Sequence, residues 1–420
     1  MMSEAGQRAL LRRLLDAGLE RVAPRHCLPP HLPATPPRGR TLVLGAGKAA
    51  AAMAASVAEA APWPVSGLVV TRYGHTVGHA IDGIEVIEAG HPVPDDRSQA
   101  AAVRMLAHAR GLTPDDRLIF LASGGGSAVL SLPVDGLAFA DKQALIRHLV
   151  LSGAAIGDIN CVRKHVSAIK GGRLAQATAA GDILTYVISD IPGDDPSDVA
   201  SGPTLPDRST LAQARSVIDR FGAPKPELVT RLLADPANET LKPGAGSHPC
   251  VVIATADDCL AAAQAAAERE GLEVINLGGA LQGEANELGR EHAALARRVK
   301  RDGRRAVILS GGEVTVQVRN RDGAGGPNLE YLAGLARALD GLDSVYALAC
   351  DTDGIDGSSD AAGGVITPST LDRATAAGQD AAVCLAANRT YRLFSAIDDL
   401  IITGPTLTNV NDFRAIVVGP

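Results

Sequence analysis

Two hydrophobic rhythms alternate along the chain: short apolar runs that end in glycine or aspartate, and longer Ala- and Leu-rich stretches with helical spacing. Apolar runs from Thr41, over Gly67–Arg72, from Leu118 and over Ile183–Ile188 predict strands. Helical patterns cover Ser3–Val22, Ser98 through Arg110, a stretch from near Ala140, and one carrying residues 160–171. In the first of these, Ala9, Leu10, Leu14, Leu15 and Leu19 share one face, so an amphipathic helix is expected. A second alternation starts with strand His248–Ile253 and continues through helix Asp257–Glu270, strand Glu273–Leu277, a helix to Val299 and strand Arg305–Leu309. Ser310-Gly-Gly-Glu313 then interrupts two apolar runs, and Asn328 opens another helix. Strands Ser344–Cys350 and Ala415–Val418 end the pattern. This order implies crossover connections and the α/β class.

Length divides the pattern in two. At 420 residues the chain exceeds the roughly 250–300 residues at which one core stops growing. The helical, Pro-punctuated stretch Leu211–Pro243 reads as the junction, giving domains 1–240 and 241–420. Aromatics make up 3% of residues, with a single tryptophan, Trp63, which argues against stacking platforms for nucleic acid. A formal charge of −7 gives no basic footprint either. The six cysteines form no CxxC pair, which suits a reduced cytoplasm. No run approaches the roughly 20 apolar residues of a membrane span, and the N-terminus lacks an apolar signal core.

The candidate chemistry gathers where strands end. In Leu118–Leu130 an apolar run meets Ser123-Gly124-Gly125-Gly126-Ser127, where glycines let successive amides face one concavity and bind phosphate. A plain strand-to-helix connection has the same composition. Gly45-Ala-Gly47-Lys48 fits neither nucleotide pattern cleanly. Ala49 stands where a P-loop has Ser or Thr, and the second strand ends in Arg72 rather than the acid of a dinucleotide site. Lys48 is either an anion-seeking side chain at a helix start or a surface lysine. His91, before Pro92, reads as a loop histidine or a cleft residue. Asn160, Arg163, Lys164 and Ser167 fall on one helical stripe that is either a charged outer face or an anion-facing one.

Ser189-Asp190-Ile-Pro-Gly-Asp194-Asp195-Pro-Ser197-Asp198 places four carboxylates after a strand, where they need a cation or cationic side chains among them. Mg²⁺ with phosphate oxygens is the economical partner. Asp351-Thr-Asp353-Gly-Ile-Asp356 repeats the arrangement without the spacing of a calcium loop.

These segments together resemble the class II glycerate kinases, the glycerate 2-kinase family with a C-terminal MOFRL domain. The resemblance rests on GAGKAA at 45–50, SGGGSA at 123–128, NCVRKHVSAIKGGRLA at 160–175 and SDIPGDDPSDVASGPT at 189–204. It continues through SGGE at 310–313, DTDGIDGSSDAAG at 351–363 and TGPT…TNVND at 403–412. It implies two α/β/α domains: a Rossmann-like parallel sheet, then a smaller mixed-sheet MOFRL domain, with the active site in the cleft between them. The implied reaction is ATP-dependent phosphorylation of D-glycerate to 2-phosphoglycerate. Close relatives also carry the label hydroxypyruvate reductase, so NAD(P)H-dependent reduction is the alternative.

For the kinase, Lys48, Asp190 and Asp351 are the expected catalytic residues. Gly47, Ser123, Gly124, Gly125, Gly126, Ser127, Asn160, Lys170 and Asn328 would bind substrate or phosphate. Asp190, Glu313, Asp351 and Asp353 would hold Mg²⁺. The expected partners are small molecules, D-glycerate and ATP, with no nucleic acid or membrane, and the resemblance leaves room for a homodimer. One departure is Pro327-Asn328-Leu329, where many members of the family carry Arg-Asn-Gln. Arg163 or Lys170 are the candidates to replace that arginine.

Overall fold

The computed structural model describes residues 3–244 and 248–419. These residues form two compact units. One runs from Pro24 to Ser189 and from Asp194 to Ile253; the other takes the described residues up to Ala23, Asp190–Gly193 and those from Ala254 onward.

The first unit is built on a six-stranded sheet of β1 (Thr41–Ala46), β2 (Val65–Arg72), β3 (Ile84–Ala89), β4 (Arg117–Ala122), β5 (Asp182–Ile188) and β6 (Cys250–Ala254). Its order is β3-β2-β1-β4-β5-β6, and β3 through β5 run parallel. All six residues of β1 and of β4 are buried, the pattern of central strands covered on both faces. Parallel neighbours put the segments after β1, β3, β4 and β5 at one edge of the sheet, the usual place for a ligand in such folds. A separate core joins Leu145, Leu149 and Val162 to Val217, Ile218, Val229 and Leu233. The last four belong to helices Leu211–Phe221 and Pro226–Ala234. The stretch 211–243 is therefore packed structure rather than a linker.

The second unit holds a mixed sheet of β7 (Glu273–Asn276), β8 (Leu281–Glu284), β9 (Ala306–Thr315), β10 (Val345–Asp351), β11 (Gly363–Ile366), β12 (Leu400–Ile401) and β13 (Asp412–Val418). The order is β12-β11-β10-β13-β9-β7, with β8 also on β9. Strands β7 and β8 pair parallel to β9, and the other pairings are antiparallel. Helix Pro327–Leu339 packs Leu329, Tyr331, Leu332 and Leu335 into the core of this unit.

Several expectations shift. Helix Glu4–Val22 forms, but its buried face is Leu10, Leu11, Leu14, Leu15, Gly18 and Val22, while Ala9 is exposed. This helix and residues 190–193 join the C-terminal unit, and the later division falls after Ile253, not at 240. Ser310–Glu313 does not interrupt β9, which runs unbroken through both glycines. Helix Ile156–His165 ends before Ser167, so the 160–171 stripe is not continuous. Among the described residues no helix is long and apolar enough to cross a membrane.

Candidate active site

In the first unit, the loops after β1 and β4 lock together. Gly47 has φ +134°, and a Cβ there would lie 2.3 Å from Ser123 Oγ. Only glycine fits that approach. The Lys48 amide donates to the Gly124 carbonyl at 2.8 Å, and the Ala49 amide donates to Ser123 Oγ at 3.0 Å. Both bonds fix where the Lys48 side chain leaves the backbone. Gly125, at φ +77°, lies between two side chains: a Cβ there would be 3.3 Å from Lys48 Cγ and 3.1 Å from His91 Nε2. The structure thus gathers Lys48, Gly125 and His91, which settles the location of that histidine beside the glycine loop.

The loop leads into a helix, as a strand-to-helix junction should, but a short one. Helix Gly126–Val129 is a single turn, and the Gly126 amide bonds back to the Ser123 carbonyl at 3.2 Å. What supports the loop instead is the segment Ala200-Ser201-Gly202, with φ values of +53°, +60° and +55°. Left-handed backbone at two non-glycine residues in a row is unfavourable and needs support from its surroundings. That support is present. Ser201 Oγ hydrogen-bonds Ser127 Oγ at 2.7 Å, and the Gly171 and Gly172 amides donate to the Ser201 and Gly202 carbonyls. Lys170, fully buried, donates from Nζ to the Ala200 carbonyl at 3.4 Å. Asn160 accepts from Arg163 at 2.8 Å.

Asp195 and Asp198 find protein partners. Lys164 Nζ lies 2.8 Å from Asp198 and 3.3 Å from Asp207. Asp195 accepts from the Ser197 amide and hydroxyl. A cationic side chain, one of the two remedies the sequence allowed, answers the repulsion at Asp198.

In the second unit, Asp190 Oδ2 accepts from Asn409 Nδ2 at 2.9 Å. Asp351 ends β10 opposite Asp412 of β13. Asp351 accepts the Asp353 amide at 2.9 Å, and Asp353 accepts the Ile355 amide at 2.8 Å, so each aspartate shapes the turn after it. Thr352 Oγ1 donates to the Asn411 carbonyl at 2.6 Å, tying this loop to 406–412.

The start of helix Pro327–Leu339 is not open to a ligand anion. Asp356 takes the Asn328 and Leu329 amides at 2.9 and 3.0 Å, so the chain supplies its own carboxylate to the helix dipole. Asn328 Nδ2 donates to Asp412 at 2.6 Å and to Asp356 at 3.3 Å. Arg414, buried, bonds Asp412 and the Gly311 carbonyl. Burial pushes the Asp356 carboxyl up to about 7, with the Asp412 charge adding to it and the two amide bonds opposing. Asn328 Oδ1 is buried without a hydrogen-bond partner among the described residues. Since its Nδ2 faces two carboxylates, the amide orientation is fixed by the network.

Glu313 is exposed on β9, opposite Gln282 of β8. Among the described residues no three His, Cys, Asp or Glu side chains group as a metal site. The expected set of Asp190, Glu313, Asp351 and Asp353 is therefore not assembled as one cluster. Sequence reasoning did not single out Asp412 and Arg414, two residues apart on β13, whose further partners, Asn328 and the Gly311 carbonyl, lie far away in sequence.

Comparison with known proteins now places the chain. A model described as a domain of unknown function, DUF4147, matches residues 10–234, and the MOFRL family matches residues 306–412. A protein of Thermotoga maritima named D-glycerate 2-kinase is 37% identical, over 89% of each chain. This chain belongs to the class II glycerate kinase family. The crystal structure of glycerate kinase from Thermotoga maritima matches with a TM-score of 0.88 at 35% identity, covering 98% of this chain and 99% of that one. A protein of Agrobacterium vitis, provisionally named hydroxypyruvate reductase, is 47% identical over 99% of this chain and 96% of its own. Family membership thus spans both labels that the sequence motifs raised.

Proposed function

We propose that this chain transfers the γ-phosphoryl group of ATP to the 2-hydroxyl of D-glycerate, giving 2-phosphoglycerate. The observation that carries this reading is the clasp between the Gly47-Lys48 turn and the Ser123–Ser127 loop, which holds a lysine against a glycine-rich turn. Phosphoryl transfer gathers charge on the equatorial oxygens, so its catalyst must chiefly position and neutralise. Lys48 and the amides of Gly124 and Gly125 would meet those oxygens, Gly126 would let the loop turn with its amide bonded to the Ser123 carbonyl, and Ser127 and Asn160 would hold the acceptor.

Asp190 and Asp351 are the proposed acids for a divalent cation or for the acceptor proton. Mg²⁺ usually takes one or two carboxylates and fills its shell with phosphate oxygens and water, so a three-acid cluster is not required. The unpartnered Asn328 Oδ1 is a hard oxygen donor of the right kind for that environment. Bound there, Mg²⁺ would supply charge neutralisation for the nucleotide phosphates. Six free thiols support a cytoplasmic protein.

The name of the Agrobacterium relative favours hydride transfer instead. Against it, a dinucleotide turn needs its amides directed at pyrophosphate, whereas the Lys48 and Ala49 amides are used within the clasp. Phosphorus NMR of a reaction with ATP, Mg²⁺ and D-glycerate tests the proposal. A 2-phosphoglycerate resonance appearing with ADP supports it. A 3-phosphoglycerate product refutes the acceptor position, and no phosphoryl transfer refutes the reading.

A further inference from the structure

A cavity of about 330 Å³ in the first unit is lined by Arg40, Arg104, Ala107, His108 and Gly111. That volume falls at the low end of the roughly 300–1,000 Å³ of small-molecule pockets. Arg40 directly precedes β1, and its carbonyl accepts the amide of Arg117, the first residue of β4, at 3.0 Å. The other lining residues belong to the last turns of helix Asp96–Arg110 and to Gly111, which caps it. The cavity therefore opens where β1 and β4 begin, whereas Lys48 and Ser123 follow their ends. Six residues of strand, about 20 Å, separate the two edges of the sheet.

The walls carry basic side chains and no acid. Arg40 and Arg104 reach the cavity from two elements, and His108 stands one turn after Arg104 on the same helix face. Arg104 forks onto Glu85 through Nη1 and Nη2, but the two side chains are 47% and 50% exposed, so water screens the pair. Asp116 is buried and already occupied, since it accepts the Arg40 amide at 2.8 Å and the Thr113 amide and hydroxyl at 2.8 and 3.0 Å. The Arg40 Nε stands 4.0 Å from it. Arg40 Nη2 donates to the Gly111 carbonyl at 2.8 Å, which closes the helix end. An arginine has five donors, so each fork keeps donors for a ligand.

The shape of this group selects among anions. One guanidinium fork satisfies a planar carboxylate. Two guanidinium groups and an imidazole lining one cavity from two elements suit a tetrahedral dianion better, because it has three oxygens to share among them.

We propose that Arg40, Arg104 and His108 form a second binding site, apart from the glycine loop, for the phosphate group of a small phosphorylated metabolite. Ala107 and Gly111 leave room beside them for the rest of the molecule. The site does not depend on which reaction the chain catalyses, because none of its residues belongs to the proposed phosphoryl-transfer site.

Isothermal titration calorimetry of the full chain carrying Lys48→Ala, which removes the cation at the glycine loop, isolates this site. The probes are methyl phosphate, inorganic phosphate and malonate at low ionic strength, where screening is weakest. Methyl phosphate should bind at least as tightly as inorganic phosphate, and malonate more weakly than either. Arg40→Gln and Arg104→Gln, each added to Lys48→Ala, should weaken methyl phosphate about tenfold or more, the scale of losing a hydrogen bond to a charged group. Arg104→Lys should retain part of the affinity, since it keeps the charge without the fork. Methyl phosphate affinity unchanged in both glutamine variants would overturn the site, as would no detectable binding before either is introduced. Tighter binding of malonate would overturn phosphate as the ligand, and binding of inorganic phosphate without methyl phosphate would overturn a metabolite as its source. Should Arg40→Gln not fold, because Arg40 also closes the helix end, Arg104→Gln and His108→Gln decide: unaltered affinity in both overturns the proposal.

Discussion

Lys48 shows how a single residue acquires a role from its neighbours. Its motif fits no nucleotide pattern cleanly, and nothing in the residues of 45–50 says which way the side chain leaves. The direction is set by its amide bond to Gly124 and by Gly47, whose missing side chain lets Ser123 approach. Lys48→Ala should therefore lower turnover about 100- to 1,000-fold, the scale of losing one charged or polar contact to a transition state, with little change in melting temperature. ADP release under saturating ATP and D-glycerate checks this. Lys48→Arg should fall between parent and alanine variant, since it keeps a cation on a differently shaped head group. Near-parental turnover in Lys48→Ala would remove the residue from the mechanism. His91 was not legible in the same way. A histidine before proline carries no signal for the ring it will face, and only the parallel order of β3, β1 and β4 brings it to Gly125.

At the scale of elements, the sequence was most informative where periodicity is strong. The helix over 4–22, β1, β4 and β5 follow directly from apolar spacing, because buried strands and amphipathic helices each have a characteristic repeat. It was least informative at glycines. Ser310–Glu313 looks like a break but continues as β9, and the loop 123–127 looks like a helix entry but leads into one turn. The start of helix Pro327–Leu339 is a related case, since its occupant, Asp356, lies 28 residues from Asn328.

That cap has a measurable consequence. Asp356 has a pKa of about 7 in the fold against an ordinary 3.8 when exposed, so between these values the folded chain binds more protons than the unfolded one. Its contribution is then fully present below about pH 4 and lost as pH rises through about 7. Thermal melts from pH 4 to 8 on the parent and on Asp356→Asn isolate it. The parent should lose stability relative to the variant across this window, because asparagine keeps an acceptor for the helix amides and does not ionise. Parallel pH profiles would show that Asp356 does not titrate there.

For the whole molecule, two α/β units and the family were readable from ordered motifs, while the assignment of residues to units was not. Helix Glu4–Val22 and Asp190–Gly193 join the C-terminal unit because of what they pack against, which local sequence does not encode. Activity should vanish in excess chelator and return with added Mg²⁺, as measured by ADP release. Full turnover under chelation would contradict the proposed divalent cation. The central claim, phosphoryl transfer rather than hydride transfer, is tested most directly on one preparation given both sets of substrates. ADP release from ATP, Mg²⁺ and D-glycerate should be robust, with no change in NADH or NADPH absorbance on adding hydroxypyruvate; cofactor oxidation without ADP release would contradict the account.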